Sequence, residues 1–332
     1  MNPGTKKFQI VGIGNAIVDI LCNVEYRLLT DLGINPGIMH LVDLERAQKL
    51  YGLLEGAKEV SGGSVANTIA GLAMLGKRTA YIGKVKDDHL GRVYASHMQS
   101  LGIEFSTEFA PVNVSFETGR SVIMVTPDGE RSMNTYLGAA EFLTLDDMDR
   151  ELLGNTEWIY LEGYRFDGPE SQEAFRIAVD LCKKSGGKVA IGLSDPFCIE
   201  RHRQAFWDLI NGGTDLIFAN RAEILALCQT TDLEDALAML NRGNLLVVTT
   251  LSEDGVIVSN QGKNIKIEAH PTQIVDATGA GDQFAAGFFY GISEGLDLAT
   301  SARLGCIAAS EVIGHIGPRP EENLLQRFQE TV

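Results

Sequence analysis

Between residues 8 and 250, short apolar runs alternate with longer segments whose apolar residues recur at helical spacing. FQIVGI (8–13), AYIGKV (80–85), EWIYLEGY (157–164), KVAIGLS (188–194), DLIFAN (215–220) and LLVVTT (245–250) have the length and β-branched content of buried strands. Val65–Leu75, Glu170–Lys184, Ala222–Cys228 and Leu233–Asn241 carry the helical period, as do Leu298–Ile313 and Glu321–Phe328 further on. Strands separated by helices cannot pair as hairpins. They join through crossovers, which place parallel strands side by side and cover both faces of the sheet with helices. The alternation therefore predicts an α/β fold, and a 45% hydrophobic content supplies the core it needs.

Two regions break the rhythm. Residues 15–45 read as strand and turn, and 111–137 read as short β-prone runs around the turn signals ETG and TPDG. Together they predict a small β lid over a large domain made of 1–14, 46–110 and 138–332; a flap of that kind excludes water from chemistry below it. Charge narrows the partners. With 28 Lys and Arg against 44 Asp and Glu, a net charge of −16 repels nucleic acid and anionic membrane. Five scattered cysteines without C-x-x-C spacing argue against a disulfide framework or a zinc site. No secretory signal or membrane span is evident, and a cytoplasmic location is expected.

The sharpest stretch is IVDATGAGDQFAAGFFYG, Ile274–Gly291. A strand end runs into a double-glycine turn that opens a helix. Glycines there let backbone N–H groups and the positive helix terminus approach an anion. Asp282 beside such a nest repels a phosphate unless it has a task, and accepting a proton from an attacking hydroxyl is one. That combination suits phosphoryl transfer. There is no Walker A loop and no protein-kinase signature. Gly12-x-Gly14 suggests instead a dinucleotide turn and a nicotinamide dehydrogenase, but Ile17 occupies the third glycine position. A non-catalytic binding protein is the third alternative, although pure binding needs no base. NRAE, Asn220–Glu223, reads by itself as a helix-start capping box.

DATGAGDQFAAGF resembles the C-terminal signature of the pfkB/ribokinase-like carbohydrate kinases. SGGSVANTIAGLAMLG (Ser61–Gly76) resembles their N-terminal signature, and NRAE is similar to their N-x-x-E motif. Within that family GIGNAIVDI, GLSDPF (Gly192–Phe197) and DLIFANRAE are most similar to adenosine kinases. The resemblance implies a ribokinase-like fold: a mostly parallel sheet flanked by helices on both faces, with a small β-sheet lid. It implies transfer of the γ-phosphoryl of ATP, with Mg²⁺, to a hydroxyl, foremost the 5′-OH of adenosine. A sugar kinase of the ribose, fructose or 2-keto-3-deoxygluconate type is the alternative, and a monomer or homodimer the expected state.

Carried over residue by residue, the resemblance makes Asp282 the base and Gly279, Ala280 and Gly281 the anion hole. Arg131 would reach the triphosphate. Asp19, Asn15, Gly63 and Asn67 would hold the sugar, with Phe197 and Tyr164 against the base. Asn220 and Glu223 would act on Mg²⁺ through water, and Thr250, Gly255 and Thr278 on the nucleotide. Asp276, with Thr278, would hold a monovalent cation such as K⁺. The sequence departs from adenosine kinases at Gly192, at Asp195, and at Tyr164–Arg165, where two adjacent phenylalanines are usual. Those changes keep inosine, guanosine or a free sugar open as acceptors.

Overall fold

The computed structural model describes residues 6–331 apart from Ile38, Glu55, Gly129 and Pro169. The start of the 1–14 segment and the glycine of the TPDG turn thus lie outside the described residues. In chain order the strands are β1 (Phe8–Ile13), β2 (Ile17–Asn23), β3 (Met39–Leu41), β4 (Lys58–Gly62) and β5 (Thr79–Ile82). There follow β6 (Gly119–Val125), β7 (Arg131–Tyr136), β8 (Thr156–Glu162) and β9 (Lys188–Gly192). The last are β10 (Leu216–Asn220), β11 (Leu246–Thr250), β12 (Val256–Asn260) and β13 (Lys263–Ile267).

The large sheet has the order β13-β12-β11-β10-β9-β8-β1-β5. From β11 to β5 every pairing is parallel, as crossovers require, while β12 and β13 add an antiparallel edge. Its two faces feed two apolar cores. Ile10 turns to the face covered by helices Ser64–Met74, Ala280–Ser293 and Leu298–Val312; Val11 and Ile13 turn to the face covered by Ser171–Lys184, Pro196–Asn211 and Arg221–Cys228. A strand apolar on both sides is what a central parallel position demands.

A second sheet, in the order β3-β7-β6-β2-β4, is backed by helices Leu44–Gly52 and His89–Ser100. It takes β2, β3, β6 and β7 from the two irregular regions. It also takes β4 from the 46–110 segment, whose KEVSG pattern is too short and polar to announce a strand. Region 15–45 is not strand and turn alone: Tyr26–Leu32 is a helix closed by Gly33. Several expected strands end early, AYIGKV at Ile82 and EWIYLEGY at Glu162, where Gly163–Asp167 tightens into a 3₁₀ turn.

The opening glycine turn leads from β1 into β2, a strand of the other sheet, and not into a helix. That removes the dinucleotide reading, which needs a helix N-terminus directly after the turn. Gly12 has a packing role instead. A Cβ there would lie 2.5 Å from Ile69 Cγ1 and 2.8 Å from Val65 Cγ1, so helix Ser64–Met74 sits directly on β1. Overpacking a closed core costs about 1–3 kcal/mol. Gly12→Ala should lose about that much in urea denaturation. Gly52→Ala, where a Cβ meets nothing within 4 Å, should stay within about 0.5 kcal/mol of the parent or gain slightly. Equal effects at both positions would refute this packing account.

Candidate active site

The parallel strands β8, β9, β10 and β11 end at Glu162, Gly192, Asn220 and Thr250, and the register pairs Glu162 with Gly192 and Asn220 with Thr250. Ligand sites of open α/β sheets lie beyond such carboxyl ends. Here they border a cleft of about 220 Å³ lined by Ser64, Ser194, Asn220, Glu223, Thr250, Gly281 and Asp282, with Tyr160, Phe218 and Phe284 contributing aromatic surface. Ser194 holds a left-handed φ of 71°, a conformation rare outside glycine and often found at functional sites.

Helix Ala280–Ser293 enters this cleft by its N-terminus, with Asp282 in its first turn. Asp282 Oδ1 accepts from Ser64 Oγ at 2.7 Å and Oδ2 from Asn67 Nδ2 at 3.1 Å, while its carbonyl accepts from Thr68 Oγ1 at 3.0 Å. Burial pushes the Asp282 carboxyl up to about 6, against the Ser64 and Asn67 hydrogen bonds and the Arg319 charge. A carboxylate so placed is ionised at neutral pH yet basic enough to take a proton.

The two glycines of the turn differ in kind. Gly279 is the N-cap at φ 80°, and a Cβ there would lie 2.6 Å from Pro318 Cα, so the fold requires it. A Cβ on Gly281 would meet nothing within 4 Å. Its side of the helix terminus faces open cleft, where the first-turn N–H groups have no intrahelical acceptor. Ala280 begins the helix between them.

On the side of the second sheet, Asp19 projects from β2 and its carboxylate lies over Gly62, leaving no room for a Cβ there. Burial pushes Asp19 up to about 6; Arg319 and Arg131 oppose this, and Asp282 adds to it. Gly63 takes a φ of 101° with the Asn15 carbonyl where a Cβ would be, so the Gly62–Gly63 turn packs against both Asp19 and Asn15. Asn15 is buried, and its Oδ1 accepts from Arg165 Nη1 at 3.3 Å. Asn67 Oδ1 accepts from Arg319 Nε at 3.2 Å.

On the opposite side, Asn220 and Glu223 form a full capping box. Glu223 N donates to Asn220 Oδ1 at 2.9 Å, and both Glu223 oxygens accept from Asn220, at 3.0 Å from N and 2.6 Å from Nδ2. Burial pushes Glu223 up to about 7. Among the described residues no group of three or more His, Cys, Asp or Glu could hold a metal ion. A hard cation would be held here mainly by phosphate oxygens and water, which suits Mg²⁺. Thr250 lines the cleft; Gly255 lies in the turn between β11 and β12, packed against the end of β13.

The remaining expected site residues are not among those lining the cleft. Arg131, from β7, lies 2.9 Å from Asp276, without a hydrogen-bonded partner for any guanidinium nitrogen. Asp276 accepts from Thr278 N and Gly317 N, both at 3.0 Å, so the cation beside it in this structure is the Arg131 guanidinium. Phe197 is 69% exposed at the start of helix Pro196–Asn211 and is not among the cleft-lining residues. Tyr164 is half-buried, and burial raises its hydroxyl, helped by the field of Asp195, Glu223, Glu162 and Asp282. Asp195 caps that helix, its Oδ1 accepting from Phe197 N at 2.8 Å and Cys198 N at 3.0 Å. Arg165 is only 1% exposed and donates to the carbonyls of Ala140 and of Leu143 (3.1 Å), bracing the backbone there.

Ser64, Thr68, Glu162 and Arg319 were not expected. Glu162 accepts from Val65 N at 3.1 Å, which caps the helix carrying Ser64 and Asn67, and burial pushes it up to about 7. Ser64 lies inside the SGGSVAN stretch, next to the glycines that drew notice. Arg319, in GPRP, gives no periodicity or motif by which to find it.

Fold and site together define a phosphotransferase with an alcohol group as acceptor. The model of the pfkB family of carbohydrate kinases matches residues 39–323, and the chain belongs to that family. It is 42% identical to the crystal structure of adenosine kinase from Sinorhizobium meliloti, covering 98% of this chain and 100% of that one at a TM-score of 0.88. A probable sugar kinase from Rhizobium etli is 39% identical at a TM-score of 0.89, with 98% and 99% covered. Among curated proteins, 5-dehydro-2-deoxygluconokinase of Clostridium perfringens is 28% identical over 319 residues, 93% of this chain and 88% of its own. The sheet order, with helices on both faces and a second small sheet, is the ribokinase-like fold.

The contrast between the two glycines is testable. Gly281→Ala should keep or slightly raise the melting temperature, since alanine favours a helix by about 1 kcal/mol over glycine, while turnover falls at least about tenfold. Gly279→Ala should lower the melting temperature itself. A Gly281→Ala enzyme with full turnover would show that the open face receives no reacting group.

Proposed function

We propose that this chain transfers the γ-phosphoryl of ATP to a nucleoside hydroxyl, foremost the 5′-OH of adenosine. The observation that carries the transfer chemistry is Asp282, half-buried at the cleft and held by Ser64 and Asn67 beside the open Gly281 terminus. Asp282 takes the proton of the acceptor hydroxyl as its oxygen bonds to phosphorus. The bond from phosphorus to the ADP oxygen breaks, and charge on the transferring group is met by the Gly279–Gly281 N–H groups. Magnesium brought in with the nucleotide supplies further charge neutralisation, with Asn220 and Glu223 as the residues to hold its water shell.

For the acceptor, support comes from the Sinorhizobium meliloti adenosine kinase at 42% identity across nearly the whole chain. Asp19 is suited to the ribose diol, since one carboxylate accepts from two hydroxyls. A second reading, a sugar-acid kinase, is favoured by the curated 5-dehydro-2-deoxygluconokinases and by Arg319 and Arg131 acting on Asp19. ATP-dependent turnover across adenosine, inosine, guanosine, ribose, fructose, 2-keto-3-deoxygluconate and 5-dehydro-2-deoxygluconate separates the two. Adenosine should give the highest kcat/KM; a sugar acid that exceeds it replaces the nucleoside reading.

Asp282→Asn should reduce kcat by about 10²–10⁴-fold with acceptor binding little changed. In the parent enzyme kcat/KM should rise with pH through about 6 and then level, because the base acts only when ionised. Activity that persists in the Asn variant would exclude Asp282 as base.

A further inference from the structure

Arg319 approaches the site from the loop that follows helix Leu298–Val312, and it is absent from every motif discussed above. Its Nε donates to Asn67 Oδ1 at 3.2 Å, while its Nη2 donates to the Ser61 carbonyl and, at 3.0 Å, to Ser61 Oγ. Its Nη1 is buried without a hydrogen-bonded partner. The amide of Asn67 has one accepting end and one donating end. A guanidinium can only donate, so the end facing Arg319 must be Oδ1. The other end, Nδ2, then faces Asp282 Oδ2 at 3.1 Å. The flipped amide would set NH₂ against guanidinium and oxygen against carboxylate, losing both bonds.

We propose that Arg319 is a positioning residue for the phosphoryl-transfer step: it locks the Asn67 amide so that Asn67 and Ser64 hold the Asp282 carboxylate in one orientation, and it sets a fixed positive charge behind that amide. This rests on the reading of Asp282 as the base. Asp282 is faced by Ser64 and Asn67 from helix Ser64–Met74, by Asp19 from β2, by Tyr160 and Glu162 from β8, by Tyr164 after it, and by Arg319. Arg319 is itself surrounded by Tyr81 of β5, Tyr94 and His97 of helix His89–Ser100, Asp19 and Asp282. Its charge opposes the effect of burial at both Asp282 and Asp19. A lysine supplies the charge but not the planar fork that reaches Asn67 and Ser61 together.

The test compares Arg319→Met and Arg319→Lys in the full chain. The titration of the Asp282 carboxyl carbon is followed by ¹³C NMR, its resonance assigned by its loss in Asp282→Asn, and kcat is measured with ATP and the acceptor of highest turnover. In Arg319→Met the midpoint should move up by about one pH unit, because the ionised form loses its counter-charge. In Arg319→Lys the midpoint should stay near the parent value while kcat falls about tenfold, with ATP KM and melting temperature unchanged. Should the Met variant fail to fold, the Lys variant decides through kcat. An unmoved midpoint in the Met variant, or parental kcat in the Lys variant, overturns the proposal. An Asp282→Asn enzyme that retains turnover overturns the base reading beneath it, a result distinct from either.

Discussion

The carboxylate of Asp282 joins two helices that lie far apart in the chain. Ser64 and Asn67, which hold it, lie 218 and 215 residues earlier in sequence. The joint is part of the core. Helices Ser64–Met74 and Ala280–Ser293 pack on each other, and Gln283, fully buried, donates to the Asn67 carbonyl and the Pro318 carbonyl at 3.0 Å each. Gly71 leaves the space that the Gln283 side chain fills. The Asp282 carboxylate therefore inherits the rigidity of the helix pair that carries it, and the base role proposed for it needs that kind of support to keep its geometry.

Burial has the same effect on four carboxyls around the cleft: Asp19 and Asp282 are pushed up to about 6, Glu162 and Glu223 to about 7. For such groups the folded chain binds protons more tightly than the unfolded one. The stabilisation is full below the unfolded value near 4 and is lost as pH rises through about 6 to 7. At neutral pH the free site is thus a place where stability is given up for function. Backbone and side-chain donors limit the loss: Val65 N for Glu162, Asn220 N for Glu223, Ser64 and Asn67 for Asp282. In a chain of net charge −16, Arg131, Arg165 and Arg319 set their positive charge inward, close to these acids.

How much of this was legible in the sequence depended on whether local physics wrote it there. The parallel strands were readable because strands buried on both faces must be apolar throughout, and FQIVGI or LIFAN can be little else. The Gly279–Asp282 turn was readable because two glycines at a helix start make sense only beside a ligand or a close neighbour; the structure finds the neighbour at Gly279 and the open side at Gly281. Strand β4 and helix Tyr26–Leu32 were hidden, since their patterns are short and tertiary packing decides them. Asn67 was expected from its motif, but not its bond to Asp282. Arg319, Ser64 and Glu162 form long-range pairs that no local period records. Phe197 shows the reverse: an aromatic in a suggestive segment lies mostly in solvent because Asp195 and Pro196 start a helix there.

The central claim is that Asp282 activates a hydroxyl of an alcohol acceptor for attack on phosphorus. Phosphorus-31 NMR of the product formed from ATP and adenosine tests it most directly. The account predicts one new phosphomonoester signal, split into a triplet by the two protons of a primary carbon, that grows at least about a hundredfold more slowly with Asp282→Asn. Inorganic phosphate alone, a doublet from a secondary carbon, or an unchanged product from the Asn variant would contradict it.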